Sequence, residues 1–256
     1  MTIENNKTLP ICEVYTCIQG EGPLSGIPHI LIRMTGCPLR CQFGNSFCDT
    51  PYASWKPEKG KYKLDDIIRI YDQNPQIHHT MITGGSPTLH KQVLRELTHF
   101  ISDHYAHTIT IETEGSRFVS DLSNRCVISL SPKLQSSIPK LGTINPFTGK
   151  EVTKYDISRH EKNRVNYDEM KKLFKTYGGY LKPVINYDTF EQDVTEVKKI
   201  QDLLDVECYN VYLMPAGANN DELLMNRKKL VEYCIEFGYN YTDRLQIVVY
   251  GNKRGV

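Results

Sequence analysis

Short apolar runs alternate with longer segments of helical period along most of the chain, and no other feature constrains its fold as much. HILIRM, from His29, reads as a strand, and LDDIIRIYDQ, from Leu64, as a short helix ended near Pro75. IHHTMIT is a strand that runs into Gly84-Gly85. LHKQVLRELTHFISDHY follows as a helix with Val93, Leu94, Leu97 and Ile101 on one stripe. TITIETEG and CVISLSP are strand-like. YDEMKKLFKTY, residues 190–204 and residues 221–237 read as helices that precede the strand-like YLKPVI, YNVYLMP and RLQIVVY respectively. Strands alternating with helices imply an α/β fold with a mostly parallel sheet, either doubly wound or curved into a partial barrel. Functional loops in such folds leave the carboxyl ends of the strands. Pro132 to about Val165 is rich in Ser, Pro, Lys and Gly and reads as a long connection or insertion. The 256 residues show no repeat and no low-complexity divide, so the chain is expected to be a single domain, 1–256, with an insertion near 132–165.

Charge and cysteine content narrow the function. Lys plus Arg number 31 and Asp plus Glu 30, a net charge of +1 that gives no domain-wide basic surface for direct contact with nucleic acid. No run approaches the ~18 apolar residues of a bilayer span, and the polar start MTIENNKTLP has no signal-peptide core. A cytoplasmic protein with no membrane partner is the expectation. Eight cysteines stand at Cys12, Cys17, Cys37, Cys41, Cys48, Cys126, Cys208 and Cys234. The chain is too long for a small disulfide scaffold, and in a reducing compartment clustered cysteines more often hold metal. Only Cys37-x3-Cys41-x6-Cys48 cluster tightly, among Pro38, Gly44, Asn45 and Asp49, which favour a loop. Three thiolates on one loop suit three irons of a [4Fe–4S] cluster and leave one iron open to an external ligand. Zinc with a fourth ligand from elsewhere, or three unrelated core cysteines, fits the spacing equally well. The other five cysteines read as reduced and structural. The histidines, His78, His79, His104 and His107 among them, form no metal-ligand pair with an acidic partner and read as structural or solvent-facing.

GCPLRC followed by CDTPY resembles the cluster loop of radical S-adenosylmethionine (SAM) enzymes, and TGGSP, Thr83 to Pro87, resembles their second motif. IQGEG (Ile18 to Gly22), Arg33 ahead of Gly36-Cys37, CDT (Cys48 to Thr50), ETEG (Glu112 to Gly115), SPK (Ser131 to Lys133) and the C-terminal GNKRGV occur in order. Together they resemble the 7-carboxy-7-deazaguanine synthase family over nearly the whole chain. Two departures mark this sequence. Six residues separate Cys41 from Cys48 where the familiar loop has two, and Ser86 stands where the family usually carries an acid or amide before proline.

The resemblance implies a partial, modified (β/α) barrel of the radical SAM type. It implies a lyase that converts 6-carboxy-5,6,7,8-tetrahydropterin to 7-carboxy-7-deazaguanine with loss of ammonia. Hydrogen is taken from the pterin and returned, so that SAM is regenerated. On this reading Cys37, Cys41 and Cys48 hold the [4Fe–4S] cluster. Asp49, Gly84, Gly85, Ser86, Ser131, Pro132, Lys133, Met214 and Pro215 contact SAM, with Ser86 at its amine and the glycines letting backbone approach it. Ile18, Gln19, Gly20, Glu21, Arg33, Thr83 and the Val256 carboxylate face the pterin, Arg33 offering a fork to its carboxylate. Thr50 contacts Mg2+. A flavodoxin- or ferredoxin-like reductant and a homodimer are also implied. Taken alone, Arg33 reads as a surface ion pair, Gln19 and Glu21 as solvated loop residues, SPK as a surface turn, Met214 as core and the tail as frayed. A glycyl-radical-enzyme activase, which shares the cysteine loop, and a non-catalytic zinc-binding module are the competing classes.

Overall fold

The computed structural model describes residues 6–256, so the first half of the polar start lies outside the described residues. In chain order the first half of the fold is β1 (Ile11–Ile18), β2 (Pro28–Met34), β3 (Gln42–Phe43), β4 (Ser46–Phe47), α1 (Leu64–Asp72), β5 (His79–Gly84), α2 (Lys91–Tyr105), β6 (Thr108–Thr113) and β7 (Cys126–Leu130). There follow α3 (Lys154–Arg164), α4 (Tyr167–Tyr177), β8 (Gly179–Leu181), β9 (Val184–Ile185), α5 (Phe190–Leu204), β10 (Tyr212–Pro215), α6 (Asn220–Phe237), β11 (Asn240–Tyr241) and α7 (Leu245–Tyr250).

The central sheet runs β1-β2-β5-β6-β7-β8, with β1 antiparallel to β2 and every other pair parallel. Parallel strands are covered on both faces, and Ile30, Ile32, Ile82, Ile109, Ile111 and Ile128 are accordingly fully buried. Each such side chain contributes about 1.5–3 kcal/mol of transfer free energy. The stripe Leu94, Leu97 and Ile101 of α2 packs onto this core, as its periodicity requires. A second parallel sheet, β11-β10-β9, continues the curve through the bridge between Leu181 and Val211. The far ends meet where the Gly22 amide donates to Thr242 Oγ1 at 2.6 Å and the Leu245 amide to the Gly20 carbonyl at 3.0 Å. The result is a partial barrel of mostly parallel strands. No described helix is long and apolar enough to cross a membrane.

Four sequence expectations change. RLQIVVY is not a strand: α7 occupies Leu245–Tyr250, with Ile247 buried and Val249 and Tyr250 exposed. Its β-branched composition is overridden by tertiary contact: Arg244, just before it, is fixed by Glu21 and the Gly217 carbonyl. YLKPVI splits at Lys182-Pro183 into β8 and β9, which belong to different sheets. β1 precedes the strand read as the first; its leading half is buried throughout, including Glu13, and so lacks an alternating pattern. Residues 132–165 are not all connection, since they contain α3, started by the reciprocal Thr153–Asp156 capping box.

Candidate active site

The six residues between Cys41 and Cys48 fold into a hairpin. Strands β3 and β4 pair antiparallel, Gln42 with Phe47 and Phe43 with Ser46, across the two-residue turn Gly44-Asn45, and Gly44 takes φ +57°. The extra residues are pinched out, and the Cys48 amide donates to the Cys41 carbonyl at 3.2 Å. Trp55 Nε1 donates to the same carbonyl at 3.1 Å, and Leu39 N–H points at Cys37 Sγ, 3.4 Å away. All eight cysteines are free thiols. Burial pushes the Cys37, Cys41 and Cys48 thiols up; Cys48 and Cys37 add to the effect at Cys41. The three sulfurs therefore sense one another, yet among the described residues no three Cys, His, Asp or Glu side chains converge on a point where a single metal ion would sit. Three soft donors spread over one loop suit a polynuclear iron–sulfur group better than one zinc ion, whose ligands must close tetrahedrally.

Cys41 and Cys48 line a cavity of about 460 Å³ at the carboxyl ends of the strands. The glycines at the end of β5 serve the chain itself. A Cβ on Gly84 would lie 2.0 Å from the Met34 carbonyl oxygen, and one on Gly85 would lie 2.2 Å from that of Ala53 and 2.3 Å from that of Gly36. They let β5 close against β2 and the cysteine loop, and Gly84 also borders the cavity. Ser86 is fully buried and turned away: its hydroxyl donates to Glu114 Oε1 at 2.8 Å. Ser131 and Lys133 do line the cavity, joined by a 2.7 Å bond from Lys133 Nζ to Ser131 Oγ, and Met214 lines it as well. Among the described residues, the lining does not include Cys37, Gly85, Ser86, Pro132 or Pro215.

The cavity also carries a set of fixed charges. Ile18, Gln19, Gly20, Glu21, Arg33, Thr83 and Val256 all reach the cavity, as do Asp49 and Thr50. Burial opposes ionisation of Glu21, but Lys182 and Arg244 outweigh it and hold the carboxyl well below the usual range. Its Oε1 accepts from Arg244 Nε at 3.1 Å and Gln246 Nε2 at 2.7 Å, and its Oε2 accepts from Lys182 Nζ. Lys182, fully buried, also lies 3.4 Å from Glu112 Oε2; the two carboxylates keep it charged against burial. Arg244 also donates to Asp49 Oδ2, whose Oδ1 accepts from Thr50 Oγ1 at 2.8 Å. Arg33 donates through Nε to Glu13 Oε2 at 2.7 Å, and Tyr52 OH donates to the same oxygen at 2.9 Å. Glu13 in turn accepts from Arg254, which grips Glu58 with two nitrogens at 2.8 and 2.9 Å and stacks 3.6 Å over the Tyr52 ring. That grip on Arg254 brings Val256 to the cavity.

No family model matches the chain. Curated relatives do. The 7-carboxy-7-deazaguanine synthase of Rhodopirellula baltica is 33% identical over 253 residues, 98% of this chain and 90% of the relative. That of Halobacterium salinarum is 32% identical over 254 residues, 97% of this chain and 93% of the relative. The chain belongs to the 7-carboxy-7-deazaguanine synthase family. A crystal structure of QueE from Escherichia coli superposes with a TM-score of 0.58 over 93% of this chain and 94% of that one, at 19% identity, which is a likeness of fold.

Against the synthase pattern, the sequence reading missed Lys182, Arg244 and Gln246, together with Glu13, Tyr52 and Arg254, which fix Arg33 and the tail. Lys182 left a signal, a lysine inside the apolar run YLKPVI, because buried lysines are rare unless paired. Arg244 and Gln246 were hidden by reading their segment as a strand. Ser86, which stands where the family usually carries an acid or amide, donates to the buried Glu114, and Glu114 also accepts from Ser116.

Proposed function

We propose that this cavity converts 6-carboxy-5,6,7,8-tetrahydropterin to 7-carboxy-7-deazaguanine with loss of ammonia, using a [4Fe–4S] cluster, SAM and Mg2+. One observation carries the reading: Cys41 and Cys48 of the three-cysteine loop and a set of fixed charges suited to an anionic heterocycle line one and the same cavity. The donor set fits the cluster, with Cys37, Cys41 and Cys48 as its ligands. One-electron reductive cleavage of SAM, and with it hydrogen abstraction from the substrate, is the chemistry the group supplies when bound.

The protein's own work is binding, orientation and exclusion of water. Arg33 stays charged because Tyr52, Tyr15 and Glu13 outweigh its burial, so its fork can take the substrate carboxylate. Glu21 is held ionised with three donors already placed on it, and its remaining lone pair accepts from the N–H edge of the pterin. Gln19, Thr83 and the Val256 carboxylate complete the polar contacts, with Ile18 and Gly20 framing them. Asp49 would contact SAM and Thr50 would contact Mg2+, with most of the magnesium ligands expected from substrate and water. Gly84, Ser131, Lys133 and Met214 border the SAM side, with Gly85, Ser86, Pro132 and Pro215 behind them. We read the chain as one domain, 1–256, with an insertion near 132–165. It would act in the cytoplasm as a homodimer and draw electrons from a flavodoxin- or ferredoxin-like protein.

Anaerobic reconstitution tests the reading first: about four irons and a brown chromophore support it, whereas one zinc and no colour overturn it. The loaded protein, given SAM, a strong reductant, Mg2+ and the pterin, should release ammonia and 7-carboxy-7-deazaguanine. No product from an intact cluster would defeat the assignment.

A further inference from the structure

Helix α3, inside the insertion, contributes little to the core: of its eleven residues only His160 is buried. Its other inward contacts are polar, and those of Arg159 and His160 reach the cysteine loop. Arg159 donates through Nε to the Pro38 carbonyl at 2.9 Å and through Nη2 to the Cys37 carbonyl at 2.9 Å. His160 Nδ1 accepts from the Arg40 backbone N–H at 3.1 Å, so the neutral ring carries its proton on Nε2 and donates to Ser137 Oγ at 3.1 Å. Arg40 Nη1 donates to the Cys37 carbonyl as well, at 3.2 Å, so two guanidiniums converge on one oxygen. Asp156, 3.9 Å from Arg40, offsets part of their repulsion. One turn further on, Arg164 donates to the Lys133 carbonyl at 3.3 Å and to Glu196 at 2.6 Å. The helix thus ties the stretch between Cys37 and Cys41, which has no regular structure of its own, to the strand end that carries Ser131 and Lys133.

We propose that α3 is a clamp on the cysteine loop and that Arg159 is its positioning residue, fixing the Cys37 end of the cluster site and placing a permanent positive charge beside it. The proposal rests on the cluster reading above. Three backbone groups of a short loop, two carbonyls and one amide, are captured by consecutive residues about 120 positions away in sequence. A contact set of that kind restricts the loop before any cluster arrives, and outer contacts of this sort set both retention and potential of a metal group.

The test compares the full-length protein with Arg159→Ala, Arg159→Lys and, as a control on the exposed side of the same helix, Glu161→Gln. Without cluster, amide exchange at residues 39–41 should accelerate on the order of 10-fold in Arg159→Ala and stay at the parent rate in Glu161→Gln. With cluster, Arg159→Ala should lose iron to a chelator on the order of 10-fold faster, and its midpoint potential in an EPR-monitored titration should move to a more negative value. Arg159→Lys keeps the charge but not the fork, so it should restore the potential while iron loss stays fast. Parent-like exchange and iron retention in Arg159→Ala would overturn the clamp. A parent protein that takes up no cluster would instead overturn the cluster reading, and the exchange data on cluster-free protein would still decide for or against the clamp.

Discussion

In one region of the cavity, Glu21 is gripped by Lys182, Arg244 and Gln246, which arrive from the end of β8 and the start of α7. In a second region, Cys37, Cys41 and Cys48 sit on a loop held through its backbone, by the β3–β4 hairpin, Trp55, Arg40 and Arg159, and Cys41 and Cys48 line the cavity. The first region is fixed by mutual charge in a dry setting, where removing one partner leaves another buried and unpaired. The second is fixed mainly by hydrogen bonds to its backbone carbonyls rather than by pairs of buried charges. Preorganisation of a polar substrate site is therefore coupled to stability of the fold, whereas preparation of a cluster site is not.

The largest expected effect follows from that coupling. Lys182→Met strips the buried cation from between Glu21 and Glu112, and should cost roughly 3–5 kcal/mol of stability and most of the turnover. Cys48→Ser should abolish cluster uptake while leaving the melting temperature of cluster-free protein within a few degrees of the parent. Calorimetry on the two variants breaks the comparison if Cys48→Ser proves the more destabilising. The tail comes next. A C-terminal tag beyond Val256 should reduce turnover at least ~10-fold with the melting temperature unchanged, since it alters a cavity group and no core contact. Turnover that survives the tag would remove the tail from the site. Arg254→Ala should have a smaller effect, raising KM for the pterin by loosening the tail and the Glu13 partner of Arg33, because its grip on Glu58 is half-exposed.

Acid should undo the two regions in different windows. Burial, reinforced by Arg164, Lys133 and Arg40, lowers the His160 pKa to about 3. Its stabilising contribution is present above the unfolded value of ~6.5 and is lost as pH falls from there toward 3, with a slope of up to ~1.4 kcal/mol per pH unit. Glu21 is depressed too, but from a carboxylate value, so its contribution stays intact above ~4.3 and is lost only below that. Amide exchange between pH 7 and 4.5 should therefore loosen residues 39–41 before residues 19–22. Equal loosening of both segments would remove the distinction.

Much of the fold was legible because core-facing periodicity is a local signal: the stripe of α2 and the isoleucine-rich strands can be read without knowing what they touch. The motif residues were legible as a set of loops at strand ends. What escaped was set by tertiary contact. Helix α7 is rich in β-branched residues and is a helix because Arg244 is pinned ahead of it. Helix α3 has almost no apolar stripe, since it exists to present Arg159 and His160 to a loop. The glycines of TGGSP were read as clearance for a ligand, and the structure adds that backbone from Met34, Gly36 and Ala53 already fills the space beside them. Lys182 acquires its meaning only when Glu21 and Glu112 are brought to it from more than 60 residues away.

Both regions bear on one step, hydrogen transfer between SAM and a pterin held in the same cavity. Its most direct test is to incubate the reconstituted protein with reductant, Mg2+, unlabelled SAM and substrate deuterated at its ring carbons, then to analyse both recovered SAM and product by mass spectrometry. The expected result is 7-carboxy-7-deazaguanine together with deuterium in recovered SAM, which is reused rather than consumed one for one. Product accompanied by unlabelled SAM, or SAM destroyed in step with each turnover, would contradict it.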